Sequence, residues 1–433
     1  MSNGYADVFY QASLSTAASR HSIIRALESG APHSSLARLR SDLSRDFWAC
    51  LGGSPWPCPL NIQRGEPKTL MAAALDEVGY YSDNAGKAGA GQRKERANAG
   101  EQEGRVNAGE QERRVNAGEQ NTRAYTRERI VFEAEAGLLT PAYLLVPEGV
   151  NAAVGAGAAA RAGAAAGAGA AAGASAIAGA SATVGAGAPT VIALTGHGFG
   201  VADIVGLKPD GSEQKPGESS YQKAFAVALA QRGFVVIAPE LMGFGELRLE
   251  RDIEPDDPET SSCNSISSML LTIGRTMAGV RVNQARRCAD ALVELGYHCP
   301  PVAMGISGGG LVCTYFTALD ERVRACCISG FANTYRGCIC AMHHCIDNYQ
   351  PGLLLTADMP DILSLIAPRP MIWESGERDP IFPIKHVMEA EAIVRRVYDF
   401  YGKGEDFVLD RFDDEHVIHG IQSYDFLWKH ATS

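Results

Sequence analysis

The chain has 433 residues, 46% of them apolar, and its 50 acidic and 39 basic residues give it a formal charge of -11. This length suits one α/β domain with additions, and the apolar content is enough for a large core. The negative charge argues against nucleic acid or an anionic membrane as a partner, because both would be repelled, so we expect a small-molecule ligand.

The N-terminal segment carries no recognisable targeting signal. MSNGYADVFYQASLSTAASR lacks the basic stretch and the uninterrupted apolar run of a secretory signal. No later stretch has the roughly 18 apolar residues that a membrane-spanning helix needs. We therefore expect a cytoplasmic protein, in which the eleven cysteines favour reduced thiols over a disulfide framework.

Residues 1–85 are predicted to form a helical extension. IIRALESG and LARLRSDLSRDFWACLG carry apolar residues at helical spacing, whereas three prolines keep SPWPCPLN out of a helix. We interpret this region as a cap on the fold.

Two low-complexity segments follow. Residues 86–123 include a nonapeptide written three times, as ANAGEQEGR, VNAGEQERR and VNAGEQNTR, and such a polar repeat has little to bury. Residues 151–188 consist mostly of alanine and glycine, and glycine at this density opposes a helix. We predict that both segments are disordered and carry no chemistry.

Residues 124–433 alternate between predicted strands and amphipathic helices. The strands are predicted at 129–134, 142–146, 190–194, 234–238, 302–306, 325–329, 370–374 and 407–412, and the main helices at 221–233, 274–296, 310–320 and 386–402. Continuous apolar strands separated by helices predict an α/β fold with a mostly parallel sheet that is covered by helices on both faces.

Ser307 is the candidate nucleophile. In AMGISGGGLV, residues 303–312, it sits in a GxSxG pattern between an apolar strand and a helix-compatible stretch. A nucleophile elbow needs that strand, that helix and small flanking residues, because the turn is strained and crowded. An ordinary glycine-rich turn is the alternative.

A serine hydroxyl needs a base, and the base needs an acid to orient it, in the chain order serine, acid, histidine for this kind of sheet. Asp379 follows an apolar strand and precedes a proline, with Glu374 and Glu377 as alternatives or all three as solvated loop charges. His416 follows the last predicted strand more closely than its competitor His419, which would then be a surface histidine.

The negative oxygen that forms during acyl transfer needs two N–H donors. One normally belongs to the residue after the serine, here Gly308, and the other to a loop that follows an earlier strand. TVIALTGHGFG provides such a loop, and Phe199 is our choice for the second donor. We expect His197 to brace this loop rather than to act as a base.

These motifs together resemble the α/β-hydrolase superfamily, in particular its dienelactone-hydrolase-like and acetyl-xylan-esterase-like serine esterases. The similarity covers about residues 127–430 outside the alanine–glycine tract, in LLVPEG, LTGHGFG, APELMGFGE, IGRTMAGVRVNQARRCADAL, GISGGG, LIAPRPMIWESGERDPIFP and EHVIHG.

The resemblance implies a triad of Ser307, Asp379 and His416, and the family's HxxxG pattern matches His416 and Gly420. It also implies the hydrolysis of small carboxylic esters, with acetylated carbohydrate among the candidates. Dienelactone hydrolases use a cysteine nucleophile, so the serine here favours ester cleavage over lactone opening. A prolyl-oligopeptidase-like peptidase and a non-catalytic binding protein are the alternatives; the former usually has a large N-terminal propeller, for which residues 1–85 are too short.

We expect no metal and no cofactor. CCISGFANTYRGCICAMHHC, residues 326–345, is rich in cysteine and histidine but lacks two separated CxxC pairs, and Cys326 and Cys327 fall on a predicted core strand. No GxGxxG opens a helix after the first strand and no GxxxxGK[ST] occurs, which argues against nucleotide binding. The sequence leaves the oligomeric state open, and a homo-oligomer is compatible with it.

Overall fold

The computed structural model describes residues 22–30, 32–53, 55–70, 123–152, 187–215, 217–254 and 256–433. Within these ranges ten strands form one sheet. They are β1 (Gln63–Arg64), β2 (Lys68–Leu70), β3 (Tyr125–Glu135), β4 (Leu138–Pro147), β5 (Thr190–Leu194), β6 (Val235–Pro239), β7 (Val302–Ile306), β8 (Cys326–Ser329), β9 (Met371–Gly376) and β10 (Phe407–Phe412).

The sheet runs in the order β1-β3-β4-β6-β5-β7-β8-β9-β10, and β2 also pairs with β3. Neighbouring strands from β6 to β10 are parallel, whereas β1 to β4 pair in antiparallel fashion and β4 is antiparallel to β6. All eight predicted strands are present, so the predicted α/β architecture with a mostly parallel sheet is confirmed. The two short strands β1 and β2 were not predicted, because two or three residues carry no detectable periodicity.

The helices within the described residues flank this sheet. They are α1 (Ile23–Glu28), α2 (His33–Cys50), α3 (Val201–Ile204), α4 (Phe225–Gln231), α5 (Cys263–Thr272), α6 (Met277–Glu294), α7 (Gly308–Leu319), α8 (Leu353–Thr356), α9 (Met359–Ser364), α10 (Ile384–Phe400) and α11 (Ser423–Thr432). Their positions include the four main predicted helices. None of the described helices combines the length and hydrophobicity that a membrane crossing requires.

Helix α4 begins four residues later than the predicted start at 221. Lys223 and Ala224 have φ angles of 47° and 44°, which end any right-handed helix before Phe225. The chain therefore turns sharply at this point, and the turn leaves the side chain of Tyr221 outside the helix.

The core has two layers, one on each face of the sheet. Alternate residues of a strand point to opposite faces. Accordingly, Ile192 and Leu194 join one apolar cluster with α2, α6, α7, α9 and α10, while Val191 and Ala193 join the other with α3, α4 and α11. The N-terminal helices contribute Leu43 and Phe47 to the first cluster.

The two edges of the sheet connect to different parts of the chain. At the amino edge of the parallel strands, Leu70 pairs with Tyr125, Tyr125 with Pro147, and Thr190 with Val235. Segments 71–122 and 153–186, which contain most of the two predicted disordered inserts, lie outside the described residues, and both join the fold at this edge. The predicted functional residues follow the carboxyl ends of the strands, at the opposite edge.

Candidate active site

Ser307 occupies a strained turn between β7 and α7. Its φ of 57° and ψ of -122° lie in a region that residues with a Cβ atom rarely adopt. The Ser307 N–H donates to the Ser329 carbonyl over 3.0 Å, and the first turn of α7 returns to the Ser307 carbonyl through Leu311. The turn thus presents the half-buried Ser307 side chain at the carboxyl edge of the sheet, as an elbow requires.

Small residues around the serine allow the backbones to approach one another. A Cβ atom on Gly305 would collide with the carbonyl of Gly309, and one on Gly309 would collide with the carbonyl of Leu194 in β5. Since these obstacles are backbone atoms, they cannot rotate away. The glycines of GISGGG are therefore required by the packing of α7 against β5 and β7.

Asp379 and His416 form a hydrogen-bonded pair. The His416 Nδ1 atom lies 2.7 Å from Asp379 Oδ2, and the two side chains are 11% and 1% exposed. The other oxygen of Asp379 accepts the N–H groups of Ile381 and Phe382 at 2.8 and 2.9 Å. Burial by itself would raise the pKa of Asp379, but the His416 contact and these two N–H donors outweigh it and lower the pKa. Asp379 is thereby held as a carboxylate.

The competing acids and the competing histidine have other partners. Glu374 accepts from the Gly420 N–H and the Ser423 hydroxyl, both over 2.7 Å or less, and Glu377 forms an exposed ion pair with Arg411. His419 Nδ1 lies 2.7 Å from Asp410, and its ring stacks on Phe412 at 4.2 Å. The alternatives left open by the sequence therefore brace the loops of this edge.

Tyr221 lies beside the proposed base. Its hydroxyl donates to the His197 carbonyl over 2.6 Å. Its ring lies 5.5 Å from the His416 ring, and Phe382 stacks on the same imidazole at 5.6 Å. His416 Nε2 is buried and has no hydrogen-bond partner among the described residues, so the Ser307 hydroxyl is not bonded to it in this structure. Tyr221 was not predicted as a site residue, because it lies in a segment that was predicted to be helical.

The predicted oxyanion donors lie on the two sides of the elbow. Gly308 is the first residue of α7, and Phe199 is half-buried in the loop after β5. Among the hydrogen bonds of the described ranges, none uses the N–H of either residue. A Cβ atom on Gly308 would lie 2.9 Å from His197 Nδ1, so the loop that carries Phe199 packs directly over the start of α7.

A buried carboxyl group supports that loop. Glu240, at the end of β6, accepts the Val201 N–H over 3.1 Å and lies so close to Gly200 that a Cβ atom there would meet its oxygens at 2.6 Å. Burial raises the pKa of Glu240 to about 8, although the backbone N–H donors around it work in the other direction. This residue carries a proton at neutral pH and fills the space between the loop and β6.

A surface groove lies apart from this site. Its walls come from the N-terminal region, the β3–β4 turn, α5 and the segment between α5 and α6, and they include Trp56, Glu135, Leu138, Ile266, Leu270 and Arg275. None of the predicted catalytic residues is among its walls.

Comparisons with known proteins place the fold. No family model matches the chain. A Bacillus subtilis (strain 168) protein named "Putative hydrolase YtaP" is 26% identical over 198 residues, which make up 45% of this chain. The match spans 62% of that protein, less than two thirds of its length. A Bacteroides fragilis NCTC 9343 structure described as a "putative acetyl xylan esterase" matches 94% of this chain and 82% of its own, with a TM-score of 0.59 and 13% identity.

A glucuronoyl esterase from Solibacter usitatus gives a similar result. It matches 95% of this chain and 97% of its own length with a TM-score of 0.53 and 14% identity. Together with the strand order and the elbow, these matches establish that the chain has the α/β-hydrolase fold, as the sequence predicts.

Proposed function

We propose that the protein is a serine hydrolase that cleaves carboxylic esters. The observation that carries this proposal is the Asp379–His416 pair, whose free Nε2 lies at the same sheet edge as the strained Ser307. A hydroxyl on an elbow, an imidazole and an orienting carboxylate are the three groups that acyl transfer through a serine requires.

In the proposed acylation step, each of these groups has one role. Asp379 accepts the Nδ1 proton of His416 and so leaves Nε2 as the base for the Ser307 hydroxyl. The serine oxygen attacks the ester carbonyl, and the oxygen that becomes negative is stabilised by the N–H groups of Gly308 and Phe199. His416 then donates its new proton to the leaving alcohol.

Deacylation uses the same residues in reverse. Water takes the place of the alcohol, His416 removes its proton, and the resulting hydroxide attacks the acyl-serine. Ser307 recovers its proton from His416 when the carboxylic acid leaves. Apart from the ester and water, the proposed steps use only residues of this chain.

The names of the fold neighbours give the first substrates to test. One is described as an acetyl xylan esterase and another is a glucuronoyl esterase. We propose acetylated saccharides as the first class to test, with glucuronoyl esters as the second. An acyl-chain series of p-nitrophenyl esters would define the acyl pocket independently of the alcohol.

The decisive test is the replacement of the nucleophile. Ser307→Ala should lower the hydrolysis of p-nitrophenyl acetate by about 10⁴-fold or more, because only oxyanion stabilisation and binding remain. A fluorophosphonate probe should label the wild-type protein on Ser307 and leave the variant unlabelled. Full activity of the variant, or labelling at another serine, would refute the proposed nucleophile.

A further inference from the structure

A cluster of potential metal ligands lies behind the proposed oxyanion loop. Its members are His197 after β5, Cys263 at the start of α5, Cys345 before the short helix Ile346–Asn348, and Asp347 within that helix. One ligand atom from each of the four side chains lies within 4.8 Å of the other three. We call these four residues the thiol cluster, and the proposed hydrolytic reaction uses none of their side chains.

We propose that the thiol cluster binds one zinc ion. Zinc bonds of about 2.0–2.3 Å in a tetrahedron place neighbouring ligand atoms about 3.3–3.8 Å apart. Asp347 Oδ2 lies 3.2 Å from His197 Nε2 and 3.6 Å from Cys263 Sγ, and that sulfur lies 3.9 Å from His197 Nε2. These three separations are thus within a few tenths of an ångström of the zinc geometry before any ion is added, and Cys345 Sγ lies within 4.8 Å of all three atoms.

The ligand types select the metal. Two sulfurs and one imidazole nitrogen suit zinc, whereas magnesium and calcium take mainly oxygen ligands. Four protein ligands also fill a tetrahedral site, which leaves no open position for water or substrate. The proposed zinc site is therefore structural and not catalytic.

The charges around the cluster balance when zinc is bound. Cys263, Cys345 and Asp347 contribute three negative charges as ligands, and the zinc ion supplies two positive ones. Arg281, 1% exposed, supplies the third, since it donates to Asp347 Oδ2 over 2.5 Å and to Cys263 Sγ over 3.0 Å. Uncompensated charge is costly in a protein interior. The Arg281 guanidinium therefore stabilises the zinc complex, because without it the complex would keep one negative charge.

The surroundings fix two of the ligands from outside. The second oxygen of Asp347 accepts the Asn348 side-chain N–H over 2.8 Å, and the Arg281 guanidinium also donates to the Met242 carbonyl over 2.9 Å. Such outer contacts orient metal ligands and strengthen the site. The zinc ion would tie the His197 loop to α5 and to segment 345–347, and so hold that loop against Gly308.

Metal analysis of the purified full-length protein tests the proposal directly. After growth in zinc-supplemented medium and gel filtration in metal-free buffer, we expect about one zinc ion per chain. Cobalt exchanged into the site should give the intense visible absorption of a tetrahedral ion with thiolate ligands. Neither measurement needs a substrate, so a failure here is distinguishable from a failure of the proposed hydrolase function.

Variants locate the ion in the cluster. Cys345→Ser and Asp347→Asn should each weaken zinc retention against a competing chelator by about tenfold or more. Cys340→Ser, in the same segment but outside the cluster, is the matched control and should bind zinc like the wild type. Circular dichroism verifies that each variant is folded.

Three results would overturn the proposal. They are wild-type protein that holds less than about a tenth of a zinc ion per chain, a Cys263–Cys345 disulfide in the unreduced protein, and a Cys345→Ser variant that retains zinc as strongly as the Cys340→Ser control. The first two are measured on the wild type and stand even if a variant does not fold.

Discussion

At the scale of single residues, two histidines three positions apart each share a hydrogen bond with a buried aspartate. His416 contacts Asp379 and His419 contacts Asp410, both at 2.7 Å. Among the described residues, only the first pair lies against Tyr221, and only its outer nitrogen is a buried atom without a hydrogen-bond partner. Location, and not the pairing itself, therefore makes His416 the proposed base.

This difference predicts opposite effects for two substitutions. Asp379→Asn should lower kcat for an activated ester by about 10⁴-fold, because the amide favours the wrong tautomer of His416. His419→Gln should leave kcat within about threefold of the wild type, since a loop contact away from the nucleophile contributes to stability only. Steady-state kinetics on both variants measures these effects. Equal losses of kcat in the two variants would mean that His416 is wrongly assigned as the base.

Tyr221 gives a second prediction at this scale. Tyr221→Phe removes the hydroxyl that donates to the His197 carbonyl in the loop beside Ser307. We expect about a tenfold lower kcat with little change in KM, because the group positions this loop next to the proposed nucleophile. Tyr398→Phe, which loses a buried bond to the Arg369 carbonyl, is the control for stability and should keep full kcat. An unchanged kcat in the Tyr221 variant would remove its positioning role.

The sequence identified the separate chemical groups more readily than their contacts. Ser307, Asp379 and His416 stand after strands, and spacing alone left His419, Glu374 and Glu377 open until the resemblance to a family was used. Tyr221 could not be found, because its role depends on the positive φ angles of the two residues that precede α4. The thiol cluster was missed because its ligands come from three segments and not from one run of paired cysteines.

At the scale of secondary-structure elements, the end of β6 and the loop after β5 are joined by the carboxyl group of Glu240. Its raised pKa, about 8 against an ordinary 4.5, means that the folded protein binds a proton that the unfolded chain releases. This contribution to stability is complete below about pH 4.5 and declines as the pH rises to about 8, by up to about 1.4 kcal/mol per pH unit. The loop therefore loosens on the alkaline side.

Glu240→Gln tests this coupling. The amide oxygen can still accept the Val201 N–H, but the side chain no longer titrates. The melting temperature of the variant should fall less between pH 5 and pH 8 than that of the wild type. This pH range lies between the ordinary pKa of a glutamate and the raised pKa of Glu240. Parallel curves for the two proteins would show that Glu240 does not titrate in this interval.

The elements themselves were largely predictable. Long apolar strands such as β7 and amphipathic helices such as α6 have strong periodicity, and both occur where the sequence placed them. The missed elements were the short strands β1 and β2 and the helices α3, α5, α8, α9 and α11. In α5 the sequence CNSISSMLLT mixes polar and apolar residues without a strong helix former at its start, so the helix depends on tertiary contacts.

At the scale of the whole molecule, the N-terminal helices belong to the main core. Phe47 is fully buried and meets Tyr315 of α7 edge to face at 4.7 Å. Arg40 donates to the carbonyls of Ser364, Leu365 and Ala367 at the end of α9. The helices therefore cover one face of the hydrolase sheet, although they precede its first long strand by many residues.

Phe47→Ala measures how much this layer contributes. We expect a loss of about 3–5 kcal/mol in the free energy of unfolding, because a large buried ring leaves a cavity. Val293→Ala, on an exposed position of α6, should change it by less than about 0.5 kcal/mol. Urea denaturation compares the two, and equal midpoints would mean that the N-terminal helices do not stabilise the core.

The separation of the two sheet edges has a consequence for the nonapeptide repeat. Each copy that is added or removed changes the length of its segment by nine residues. That segment leaves and re-enters the fold beside the paired Leu70 and Tyr125, where a longer connection adds little entropy cost. Proteins with more or fewer copies should therefore keep the arrangement of the proposed catalytic residues at the opposite edge.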